Sequence, residues 1–391
     1  MTIQNNGIGL MGWTLVLALT AAAAQAQQQE PLSIARQGYL FAGGKYSTVK
    51  GRQVMSGQLY AEYQIPSRQT SPYPIVFLHG GGVSGSVYMG TPDGREGWAQ
   101  FFLRKGYPVY VVDGVGRGRA GYQADVYGPP SGPPDADGAE RRISPELFNE
   151  WPMAHLHTQR PGTGKPGDPF FDTFFALTHM SGIRGYSTVA ALNRDAILAL
   201  LEKIGPAILL THSQSGTPGW LVADAKPDRV KAVISIEGGS PAFYEYATVG
   251  APEWFKRGEK ARPWGLTSEP LTYSPPVASA SEIEAVEEEK ADGPGLVKCW
   301  LQKEPARKLP NLQKVPIVMI QSESSDHTST DHCVAKYFEQ AGVHPTFIRL
   351  AAIGIRGNTH HMMLEKNNLE IADVIYRWLA KTLASSATKT P

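Results

Sequence analysis

Short apolar runs recur along the chain, and most end in a small or polar residue. Ile75-Val76-Phe77-Leu78 stops at His79-Gly80-Gly81-Gly82, Val109-Tyr110-Val111-Val112 at Asp113, and Ala207-Ile208-Leu209-Leu210 at Thr211-His212-Ser213. Val233-Ile234-Ser235-Ile236 stops at Glu237, Ile317-Val318-Met319-Ile320 enters a polar loop, and Thr346-Phe347-Ile348-Arg349-Leu350 comes last. Continuous runs of this length predict strands buried on both faces. Leu59-Tyr60-Ala61-Glu62-Tyr63 alternates instead, which predicts an antiparallel outer strand. Helical patterns lie between the runs. Residues 97–104 precede Gly106, 187–204 stop at Gly205, 332–340 stop at Gly342, and 371–383 close the pattern. In 187–204, Val189, Leu192, Ile197, Leu200 and Leu201 share one helical face. Strands alternating with helices predict an α/β fold: a mostly parallel sheet with helices on both faces.

Two stretches break the alternation. Residues 121–186 are rich in Pro, Gly and aromatics, and residues 238–313 hold Pro, Trp and the charged run Glu284 to Lys290. Structureless loops of that length are rare inside a domain. Both are expected to be insertions forming a cap over the strand ends, where α/β sheets bind ligands. The charged run is expected as a solvated helix face. Phe243, Tyr244, Trp254 and Trp264 are expected in the cap, where an apolar lining favours hydrophobic or aromatic acyl groups.

The first residues read as a signal peptide over residues 1–26. Leu10 to Ala24 is apolar, and Ala24-Gln25-Ala26 has the small-x-small pattern of a cleavage site, although no Lys or Arg precedes the run. The mature chain is expected to start near Gln27 and to be secreted or periplasmic, with no membrane span. Charge adds little: 37 Lys+Arg against 36 Asp+Glu gives no reason to expect nucleic acid or an anionic membrane as partner. Cys299 and Cys333 are the two cysteines, and an oxidising compartment would let them pair.

The strongest chemical signal is Thr211-His212-Ser213-Gln214-Ser215-Gly216, between an apolar strand and an expected helix. A nucleophile elbow needs that context, with small residues two before and two after the nucleophile. Thr211 and Ser215 occupy those positions, and Thr211, being β-branched, is the less comfortable fit. Upstream, the His79-Gly80-Gly81-Gly82 loop can aim backbone N–H groups at an oxyanion, with Gly81 and Gln214 as donors. Downstream, Gly357-Asn358-Thr359-His360-His361 follows the last strand, where a general base must reach Ser213, and either histidine qualifies. The acid is open between Glu237, fixed at a strand end, and Asp326, in the polar stretch Ser322 to Thr328.

Other motifs are set aside. Gly116-x-Gly118-x-x-Gly121 lies outside the first βα unit and lacks a ribose-binding acid, so no dinucleotide is expected. Asp326, His327, Asp331 and His332 match no standard zinc spacing. No cofactor and no metal are assigned.

These residues resemble the exported bacterial esterases of the α/β-hydrolase fold that use a Ser–Glu–His triad. The resemblance runs from the His79-Gly80 loop to the C-terminal helix. It rests on Asp113 with Gly116-Arg117-Gly118-Arg119, on the Ser213 motif, on Ile236-Glu237-Gly238, and on Gly354-Ile355-Arg356-Gly357-Asn358-Thr359-His360 with Glu365-Lys366-Asn367. It implies Ser213 as nucleophile, Glu237 as acid and His360 as base. Some relatives carry a cysteine pair where this chain has Gly81-Gly82, so no redox role follows there. A small-molecule ester is the expected substrate, hydrolysed through an acyl-enzyme. Amides, lactones, thioesters or C–C bonds attacked by the same residues form the alternative, and a binding protein on an inactive hydrolase fold is the third class.

Overall fold

The computed structural model describes Thr2 and residues 30–131, 135–178 and 182–387. The expected signal peptide and the start near Gln27 lie outside the described residues. A long antiparallel pair, β1 (Ile34–Val49) and β2 (Arg52–Pro66), leads into β3 (Ile75–Leu78), α1 (Trp98–Arg104) and β4 (Val109–Asp113). The first insertion carries α2 (Ala124–Tyr127), α3 (Ala136–Ile143) and α4 (Pro169–Leu177). The chain then returns through α5 (Tyr186–Ile204), β5 (Ala207–His212), α6 (Gly216–Ala225) and β6 (Val230–Ile236). The second insertion forms two small antiparallel pairs, β7 (Tyr246–Gly250) with β8 (Trp254–Arg257), and β9 (Ala285–Glu287) with β10 (Trp300–Gln302). Finally come β11 (Ile317–Gln321), α7 (Asp331–Gln340), β12 (Thr346–Arg349) and α8 (Asn368–Ala387).

The eight-stranded sheet runs β1-β2-β4-β3-β5-β6-β11-β12, parallel from β4 to β12. Alternate side chains of each central strand enter opposite cores. Ile75, Phe77, Ile208 and Leu210 pack with α1 and α8, while Val76, Leu78 and Leu209 pack with α5, α6 and α7. Each such buried side chain contributes about 1.5–3 kcal/mol. Leu78 pairs with Thr211, and Ile236 pairs with both His212 and Ile320. The carboxyl ends of β3, β5, β6 and β11 therefore sit side by side.

One expectation changes and one strand was missed. The charged run is not a helix: Ala285–Glu287 is a strand paired with Trp300–Gln302, and Glu284, Glu287 and Glu289 are exposed. Strand β1 was not legible, because most of its residues are exposed and Gly43 and Gly44 interrupt the pattern. Strand β2 is antiparallel as expected, with β1 outside it. Cys299 and Cys333 form a disulfide with Cα atoms 5.0 Å apart, joining the second insertion to α7. Among the described residues, no helix is long and apolar enough to cross a membrane.

Candidate active site

Ser213 sits at the turn between β5 and α6 with φ of 53°, in the left-handed region. A non-glycine residue there costs energy and persists only where its surroundings enforce it. The enforcing contacts are close. A Cβ on Gly80 would come within 2.8 Å of His212 Nδ1 and 3.0 Å of Ser213 Cβ, so only glycine fits there. A Cβ on Gly216 would run into the Gly238–Gly239 backbone. Gly239 N–H donates to Ser213 O at 2.8 Å. Ser215 Oγ accepts from His212 N–H (2.8 Å) and lies 2.9 Å from Leu78 O, tying the elbow to β3. Gly219 relieves the β-branched Thr211: a Cβ on Gly219 would meet Thr211 Cγ2 at 2.6 Å. The sequence carried that compensation one helical turn beyond the motif.

Glu237 directly follows β6 with φ of 42° and is 1% exposed. Its Oε1 accepts from Ser322 N–H (2.8 Å), Ser322 Oγ (2.5 Å) and Ser325 Oγ (2.8 Å). Its Oε2 accepts from His360 Nδ1 at 2.7 Å. Burial opposes the charge, but the hydrogen bond and charge of His360, the charge of His327 and the Ser322 bond hold the carboxyl down at about 2. The polar stretch after β11 is thus no solvated loop: Ser322, Ser324 and Ser325 are buried, and two of them wrap this carboxylate. Asp326 faces the cavity beside His327 and makes no hydrogen bond to His360.

His360 lies on the loop after β12. Its backbone carbonyl accepts from His212 Nε2 at 2.9 Å. Glu365 holds the same loop by accepting from Asn358 Nδ2 (2.6 Å) and Thr359 N–H (3.0 Å). His157, from the first insertion, bridges Glu146 (2.7 Å) and Glu365 (2.8 Å). This buried clamp was not found from sequence, since His157 and Glu365 are 208 positions apart. His361 turns away from the cavity and packs on Phe174, with ring centroids 5.2 Å apart. Burial and then the neighbouring His360 keep it well below the usual histidine range.

A cavity of about 470 Å³ opens over these strand ends. Ser213, Gln214, Gly81, Thr359 and His360 line its floor, joined by Arg141, Arg142, Glu150 and Trp151 from the first insertion and by Ala261, Arg262 and Ser268 from the second. His79 fixes the glycine loop: Nδ1 donates to Gly80 O (2.7 Å) while Nε2 accepts from Gly114 N–H (3.0 Å). Asp113 accepts from Gly85 N–H (2.8 Å) and Arg119 (2.7 Å), which holds the Gly116-x-Gly118 turn as a structural loop. His327, set aside in the sequence, lies flat on His360, with centroids 4.7 Å apart and planes 8° apart. Its Nδ1 donates to Asp331 at 2.8 Å. Burial disfavours its charge, but Asp331, Asp326 and Glu237 raise it to about 10.

The expected aromatic lining is absent from this cavity. Phe243 is buried against Tyr337, Tyr244 packs on Trp300 at 4.4 Å, Trp264 joins the core, and Trp254 lines a separate surface depression. These rings pack elsewhere, and the aromatic side chains that do line the cavity are Trp151 and Tyr186, beside charged groups from both insertions. The Cys299–His332–Cys333 cluster is the one group of possible metal ligands among the described residues, and its thiols are spent in the disulfide.

Known proteins share this architecture. The chain is 40% identical over 347 residues, 88% of its length and 89% of the relative's, to the protein described as probable secreted lipase phiG of Fungal sp. (strain ATCC 74256). It is similar in fold to a solved bacterial esterase, with a TM-score of 0.58, 22% identity, and coverage of 90% of this chain and 97% of that one. A family model described as Alpha/beta hydrolase family matches residues 75–374, and with the fold and relatives in agreement the chain belongs to the alpha/beta hydrolase family.

Proposed function

We propose that this hydrolase is a serine carboxylic ester hydrolase working through an acyl-enzyme on Ser213. One observation carries the reading: strained Ser213 shares a cavity with His360, whose Nδ1 donates to buried Glu237. In this mechanism Ser213 Oγ attacks the ester carbonyl while His360 Nε2 takes its proton. The N–H groups of Gly81 and Gln214 receive the oxyanion, a role worth about 3–4 kcal/mol per donor. His360 then gives the proton to the departing alcohol, and water, activated the same way, releases the acid. Glu237 holds the tautomer with Nδ1–H and balances the imidazolium.

Residues 121–186 and 238–313 act as the cap in this reading, because residues from both line the cavity. Export through a signal peptide over residues 1–26 fits the secreted lipase relative. N-terminal sequencing of exported protein should begin near Gln27; an intact Met1 on active enzyme would refute export by cleavage. For the activity, a fluorophosphonate probe should label wild type and not Ser213→Ala. The variant should lose about four to six orders of magnitude in kcat on a chromogenic ester. Turnover within about tenfold of wild type would overturn the nucleophile assignment. Matched ester, amide and thioester substrates separate ester hydrolysis from the related chemistries.

A further inference from the structure

The charges around the cavity do not cancel in place. Of the cations that line it, Arg141 is paired with Glu150, and Arg262 is bound to Glu245 and to the carbonyls of Pro241 and Tyr244. His327 is balanced by Asp331 and Asp326. Arg142 is different. Among the described residues it forms no ion pair, and its hydrogen bond is a long one to Gly81 O, at 3.4 Å. Its guanidinium lies over the glycine loop: a Cβ on Gly82 would meet Arg142 Nη1 at 3.2 Å. Most of its five N–H donors are uncommitted.

A second cation stands behind the same spot. Arg117 is 7% exposed, forms no ion pair among the described residues, and has Nη1 buried without a hydrogen-bond partner. Its Nη2 donates to Gln214 Oε1 at 3.4 Å, and the Gln214 side chain lies against Gly81. Burial first, and then the charge of Arg142, weaken its hold on its proton. Two arginines that repel each other, one of them desolvated, are costly to assemble without a counter-charge. An anion at the Gly81 rim removes that cost and gains charge-assisted hydrogen bonds. The apolar lining is Trp151, Tyr186, Val189, Ala190 and Ala261.

We propose that the site takes esters bearing a carboxylate, recognised by Arg142 with the Arg117 charge behind it. This rests on the esterase reading and names the substrate class of that site. The carboxylate can belong to the acyl or the alcohol part, so the experiment uses two matched pairs: monoethyl adipate against ethyl hexanoate, and acetoxybutyrate against butyl acetate. Acid release is measured at low salt for wild type, Arg142→Gln and Arg142→Lys, each checked for an unchanged Tm. Wild type should favour the charged member of one pair by about tenfold or more in kcat/KM. Which pair responds identifies the part that carries the charge. Arg142→Gln should cut that charged-to-neutral ratio about tenfold, and Arg142→Lys should restore part of it. A wild-type preference for the neutral member in both pairs, or a ratio unmoved by Arg142→Gln, overturns the proposal. Turnover of neutral esters without charge preference defeats this assignment alone. No turnover of any ester, with no fluorophosphonate labelling, defeats the hydrolase reading beneath it.

Discussion

Glu237→Gln isolates the chemistry of one carboxylate while keeping its shape. Glu237 Oε1 accepts three hydrogen bonds from the Ser322 and Ser325 groups, and Oε2 accepts the His360 Nδ1–H. A glutamine has one acceptor end and one donor end. If its carbonyl stays with the serines, its NH₂ meets His360 Nδ1–H, donor against donor. The imidazole must then move its proton to Nε2, where it can no longer accept from Ser213. That tautomer fault costs about 10³ to 10⁴ in kcat, or roughly 4–5.5 kcal/mol. Stability changes too. Holding the carboxyl at about 2 rather than 4.5 stabilises the folded state while the group is charged. The folded value is depressed, so this stabilisation is full above pH 4.5 and is lost as pH falls through about 2. The assay is kcat on a chromogenic ester, normalised to sites titrated with fluorophosphonate, beside urea unfolding from neutral to acid pH. The stability gap between wild type and variant should narrow as pH falls from 4.5 toward 2. Asp326→Asn is the control, expected within about tenfold of wild type, because Asp326 faces His327 and not His360 Nδ1. Glu237→Gln near wild type, with Asp326→Asn crippled, would refute the assignment.

The histidine pair should separate: His360→Ala should lose at least about 10³ in kcat, while His361→Ala keeps more activity and loses about 1–3 kcal/mol of stability by urea unfolding, since His361 is buried away from the cavity. Gly219→Ala should cost about 1–3 kcal/mol because its Cβ meets Thr211 Cγ2 at 2.6 Å; adding Thr211→Ala should recover much of that, and strict additivity of the two would refute the contact. Replacing Cys299 and Cys333 together by alanine should lower stability by about 3–4 kcal/mol, the entropy of a loop spanning 34 positions; an unchanged urea midpoint would show that the second insertion is held without it.

Much of the frame was legible in the chain. β3, β4 and β11 were read to within a residue of their bounds, because a strand buried on both faces writes a continuous apolar run. The Ser213 elbow was legible for a related reason: strand, sharp turn and helix are contiguous in sequence. Strand β1 left no such mark. It lies at the edge of the sheet, mostly in water, and is defined by its ladder to β2. The cavity lining was misjudged because hydrophobicity alone does not say which way a ring turns. Phe243 and Trp264 were expected in an apolar cap lining and are packed into the protein instead.

The sequence by itself determined the central strands of the sheet, the strand–turn–helix around Ser213 and the candidates for acid and base, since periodicity and tight turns are local properties of the chain. Only the tertiary structure shows which of the candidates meet. Glu237 meets His360 across 123 positions, and its charge is sheltered by serines that the sequence presented as a polar loop. Arg142 gained its meaning in the same way, by being carried on an insertion to the rim of a glycine loop 61 positions earlier, where no carboxylate among the described residues meets it. Hydrogen bonds and ion pairs act over a few ångströms, and only the folded chain brings such distant residues that close.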